Sequence, residues 1–179
     1  MKYTKILILS AFLSLFSLNA PTVASTGDID GWKIHYVDMN CITDGVALDP
    51  QNNYIWNVKF LYPVQNQLNL VVGLYNEKAA EILKALSFDK VKAWLLIEES
   101  EFQAQELMLD KNGWLVLRLD NSNTLQKNIS ENTQISLILQ PNPQSEKFRL
   151  SELHVSKAKS AFDWLQKCAV FGIRSMPDN

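Results

Sequence analysis

Apolar and polar positions alternate through Trp32-Lys33-Ile34-His35-Tyr36, and again at Tyr54, Trp56, Val58 and Phe60, where Asn57 and Lys59 face the other way. A period of two is that of a strand with one side buried and one in water. The spacing predicts two strands that are neighbours in a sheet. Leu68, Leu70, Val72 and Leu74 continue the alternation, and the interleaved Val71 and Gly73 predict a more central strand covered on both faces.

From Asn76 the period lengthens. Ala79, Ala80, Leu83 and Leu86 fall at helical spacing, Asn76 can cap the first turn, and Glu77 lies near its positive end. Val91 to Ile97 reads as a strand, and the segments Phe102 to Leu109 and Trp114 to Leu119 flank Asp110-Lys111-Asn112-Gly113, a hairpin signal because Asn and Gly tolerate positive φ. Ile135 to Leu139 and Phe148 to Leu153 supply two more strands around Pro141-Asn142-Pro143. Ala158, Ala161, Phe162, Leu165 and Cys168 then form one helical stripe, with Ser156 as its cap and Lys157, Lys159, Asp163 and Lys167 opposite. The predicted fold class is α+β. It is a mostly antiparallel sheet or sandwich of about seven or eight strands, with one internal and one C-terminal helix.

Residues 1–24 read as a cleavable export signal. Lys2 and Lys5 precede the apolar run Ile6 to Leu18, and the small residues at its exit place the cut after Ala24 rather than beside Pro21. The run is short for a bilayer span, so an uncleaved anchor is the weaker reading. The remaining residues 25–179 form a single β-rich domain predicted to be periplasmic or secreted, with no stable membrane insertion. Removing the signal takes two lysines from 17 basic residues and none from 19 acids, leaving a net charge of −4. That balance argues against nucleic acid as a partner, which demands clustered Lys and Arg.

Cys41 and Cys168 are the two cysteines of the chain. In an oxidising compartment they are expected to pair with each other, tying the first strand region to the last helix. A reactive thiol pair, an interchain link and a two-cysteine metal site are the competing readings.

Candidate chemistry is sparse. His35 and His154 are the two histidines, with no metal-ligand spacing around them, and no Gly-x-Ser-x-Gly, phosphate loop or His-Glu-x-x-His occurs. No metal or cofactor is expected. Glu98, Glu99 and Glu101 form one acidic cluster, but Glu98 and Glu99 are adjacent on an extended chain and cannot easily converge on one bond. Trp32, Trp56, Trp94 and Trp164 fall in apolar patterned elements and are expected in the core. Trp114, just after the hairpin turn, is the candidate exposed platform, and with Glu98 and Glu101 it marks a possible binding surface.

The closing segment, Phe148-Arg149-Leu150-Ser151 followed by Ala161-Phe162-Asp163-Trp164-Leu165-Gln166-Lys167-Cys168, resembles the strand-then-helix ending of small periplasmic proteins of the invasion-associated locus B (IalB) family. Gly31-Trp32 and Cys41 are similar to that family's opening. The ending also resembles type VI secretion accessory proteins of the VasI/TagO kind. These resemblances imply a non-catalytic envelope protein of a Gram-negative bacterium that assists secretion or host contact, partnered by another envelope or secreted protein. They carry over no functional residue. Two alternatives stay open: an envelope hydrolase or carbohydrate-binding module using Glu98, Glu101 and Trp114, and a secreted enzyme inhibitor.

Overall fold

The computed structural model describes residues 25–63, 69–86, 88, 90–120, 125 and 127–171. Residues 1–24, read above as an export signal, Leu68 and the polar stretch 121–123 lie outside them. The elements, in order, are β1 (Ser25–Ile29), β2 (Trp32–Val37), β3 (Asn40–Asp49), β4 (Tyr54–Pro63), β5 (Asn69–Tyr75), α1 (Glu77–Lys84), β6 (Lys92–Ile97), β7 (Ser100–Leu109), β8 (Leu115–Asp120), β9 (Asn132–Gln140), β10 (Phe148–Ser156) and α2 (Ala158–Phe171). Every pairing is antiparallel.

The expected sandwich of seven or eight strands is corrected to a ten-stranded sheet that closes on itself. Its order is β1-β2-β3-β10-β9-β6-β7-β8-β5-β4, and β4 pairs back to β3, so eight strands form a closed barrel with the β1–β2 hairpin attached beside β3. Closure pairs the edges of those strands with neighbours, most sparsely at the β3–β10 seam. The interior is filled by side chains such as Trp56, Phe60, Leu70, Leu95, Leu117 and Leu137, none more than 1% exposed.

β2 and β4 are not neighbours, because β3 lies between them and pairs with both, with Lys33↔Asp44 on one side and Asp44↔Lys59 on the other. The alternation of β3 is inverted. Its inward row is Cys41, Thr43, Gly45, Ala47 and Asp49, small or polar, while Ile42, Val46 and Leu48 face outward. The small inward row gives room to larger neighbours. A Cβ on Gly45 would sit 2.5 Å from the Trp32 ring, so that ring occupies the space a side chain would fill. Trp32 stacks on Phe60 at 5.7 Å, and Phe60 and Tyr62 each meet the edge of Phe162 on α2.

At Gly45 the sheet divides. The half of β3 from Asn40 to Asp44 carries β2 on its second edge, whereas the other half meets β10 through a single registered pair, Leu48↔His154. The Trp32 indole N–H donates to the Ser156 carbonyl at 3.1 Å, joining the two branches. Ser156 is therefore the end of β10 rather than the helix cap, and Lys157, at φ 54°, turns the chain into α2. In α1 the expectation holds: the Asn76 side chain accepts from the Ala79 N–H at 3.0 Å.

The disulfide is present. Cys41 and Cys168 are bonded with Cα atoms 6.0 Å apart, and both are fully buried. It fixes α2 against the inward face of β3, and closing so long a loop removes about 4–5 kcal/mol of chain entropy from the unfolded state.

Candidate functional site

The outer face of β3 and β4 carries three aliphatic side chains that nothing among the described residues covers. Val46, Leu48 and Ile55 are 61%, 60% and 62% exposed. Leu48 and Ile55 are directly paired across the two strands, and Val46 is two positions along β3. Their placement follows from the turn between them. The buried Asp49 carboxylate accepts from the N–H groups of Gln51 and Asn52 and from the Asn52 side chain, at 3.0–3.2 Å, while Asn53 takes a positive φ. The Asn76 amide donates to the Ile55 carbonyl at 3.0 Å, anchoring the start of β4 to α1.

Beside this patch lies a polar and aromatic row. His35 Nε2 is 3.0 Å from one Asp44 oxygen and Lys59 Nζ is 3.2 Å from the other, so one carboxylate bridges two bases. Lys59 also lies 4.7 Å above the Trp114 ring, which packs on Tyr75 at 5.5 Å. Between Lys59 and Val116 the intervening strand presents Gly73, which has no side chain to block the reach. Trp114 is held by its turn: Asp110 Oδ1 accepts from the N–H groups of Asn112 and Trp114 at 2.8 Å. Gly113 takes φ 86°, and α1 packs closely enough that a Cβ there would be 3.1 Å from Ala80. Trp114 is thus half-buried under a lysine rather than an open platform.

On the other side of the patch a second carboxylate repeats the motif. Glu152 pairs with Arg149 and lies 3.7 Å from His154 Nε2, and it accepts from the Gln51 side chain at 3.4 Å. His154 is the residue registered with Leu48. His154 therefore lies beside Leu48, while His35 reaches Asp44, two positions along β3 from Val46.

The structure does not unite Glu98 and Glu101 with Trp114. The two glutamates sit at the β6–β7 end and Trp114 at the β7–β8 end, separated by the full length of β7, roughly 30 Å of extended chain. Each glutamate has a local task. Glu98, at φ 53°, accepts from the Gln134 N–H at 3.1 Å, and Glu101 binds Lys147, whose ammonium covers Trp94 at 3.9 Å. Trp94 is accordingly buried on the outside of the barrel, while Trp32, Trp56 and Trp164 join the core. No group of three His, Cys, Asp or Glu residues able to hold a metal occurs among the described residues. None of the described helices is long and apolar enough to cross a membrane.

No protein-family model, curated protein or solved structure matches this chain. The site is accordingly defined by geometry alone.

Sequence reasoning missed Val46, Leu48 and Ile55. A signal for the first two was present. If Cys41 must face inward to reach the last helix, then Thr43, Gly45 and Ala47 face inward with it, and Ile42, Val46 and Leu48 are forced outward.

Proposed function

We propose that this protein is an exported, non-catalytic binding or accessory protein that acts through contact with another polypeptide on the outer face of β3 and β4. The observation that carries this reading is the side-by-side exposure of Val46, Leu48 and Ile55, with Tyr75 and Trp114 farther across the same face beyond Asn57. Clustered aliphatic exposure of this kind is uncommon on a surface that has only water to meet, and aromatic anchors beside it are the usual composition of a protein contact. The packed barrel interior favours an outside surface over an internal ligand. A buried disulfide suits an oxidising space, in keeping with the signal-like segment at residues 1–24 and with periplasmic or secreted residence. The resemblance of the closing segment to envelope accessory proteins points the same way.

The alternative hydrolase or sugar-binding reading loses its geometric basis, since its carboxylates and tryptophan lie at opposite ends of β7. To test the proposal, a photocrosslinking amino acid is placed at Ile55 and, as a control, at Gln105 in cells that express the protein. A discrete protein adduct is expected from position 55 alone, and it should vanish when Leu48→Asp is added. Equal adducts from both positions, or none from position 55, would refute the reading.

A further inference from the structure

We infer that the partner segment received on this face is acidic as well as aliphatic, and that it is held more tightly as His35 and His154 become protonated. The inference rests on the contact face proposed above and adds the chemistry of what it takes. The patch lies between two matched clusters, Lys59–Asp44–His35 and Arg149–Glu152–His154, each a single carboxylate shared by two bases. Each carboxylate is outnumbered. In the second cluster Glu152 is 14% exposed while His154 and Arg149 are 56% and 45% exposed, and in the first Asp44, His35 and Lys59 are all 26–28% exposed.

With both imidazoles neutral, two permanent cations balance two carboxylates in these clusters. With both protonated, four cations face the same two, and the patch gains local positive charge on a chain that is acidic overall. The remaining groups near each histidine do not reverse this. Around His35, Lys33 of its own strand is bound to Asp28 of β1, and Thr26 is the registered residue there. Around His154, Gln134 of β9 is registered, and Glu98 lies beyond it with its carboxylate on the Gln134 N–H. A second copy meeting this patch with its own would bring the same cations, and that pairing is disfavoured by charge.

The test uses two synthetic peptides with one alternating pattern, Val-Glu repeats and Val-Lys repeats, titrated into the protein with methyl-resolved NMR at pH 6 and pH 8. The Glu peptide should shift the methyl signals of Val46, Leu48 and Ile55, with an affinity roughly threefold to tenfold higher at pH 6, the size expected for two surface charge pairs. The variant carrying His35→Gln and His154→Gln should lose the pH dependence, its ratio of affinities between pH 6 and pH 8 falling to about one. If both peptides move those methyls equally and without pH dependence, the face contacts polypeptides but the charge inference is wrong. Failure of the Glu peptide to shift the methyls, or shifts that grow with protein concentration alone because a second copy occupies the patch, would also overturn it.

Discussion

The two halves of β3 are built in opposite ways. From Asn40 to Asp44 the strand is paired on both edges, by β2 and β4, and its inner face is bonded covalently to α2 through Cys41. From Gly45 to Asp49 it keeps β4 on one edge but meets β10 at a single registered pair, and its outer face shows Val46 and Leu48 to water. One half is tied on both edges and by a covalent bond, and the other leaves aliphatic side chains exposed. The comparison teaches that one strand can divide its tasks, carrying the attached hairpin and the disulfide at one end and the barrel's seam with β10, beside exposed aliphatic side chains, at the other.

The largest expected effect comes from cutting the clamp. Cys168→Ser should lower the unfolding free energy by about 4–5 kcal/mol in chemical denaturation under non-reducing conditions. A loss below 1 kcal/mol would mean that packing alone secures that half. Next in size is the hinge between the halves. Gly45→Val should destabilise by about 2–3 kcal/mol, because its branched side chain would drive into the Trp32 ring, and an unchanged unfolding midpoint would show that the ring moves aside freely. The smallest effect sharpens the contrast at the seam. On β10, amides turned toward β3 should exchange with deuterium faster than those turned toward β9, while Asn40–Asp44 stay slow on both edges. Uniform protection along β10 would mean the barrel is closed as firmly there as elsewhere.

Much of the fold was legible in the sequence. The helix at Glu77–Lys84, the Asp110–Gly113 hairpin, the inward stripe of the last helix and the cysteine pairing all follow from period, capping and compartment logic, and they match the structure. β3 was not legible as a strand, because its inward positions are filled by Cys, Thr, Gly, Ala and Asp. A strand lined with small residues has no apolar stripe to detect, and its reason for being small, the Trp32 ring and α2, comes from distant parts of the chain. β1 was missed for the related reason that Ser25-Thr26-Gly27-Asp28-Ile29 is short and polar, as suits a strand at the end of a sheet. The exposed aliphatic patch was hidden in the same way. Its members belong to β3, β4 and β10, and only the closing of the barrel brings His154 beside Leu48.

The pairing of Cys41 with Cys168, 127 positions away, has a consequence for biogenesis. A ribosome releases the strand bearing the first thiol long before it makes the helix bearing the second, so the nascent polypeptide carries an unpaired sulfur and an unfinished ring for most of its synthesis. The ring can close only after the tail has been made, so the bond that fastens the last helix to β3 is among the last parts of the molecule to form.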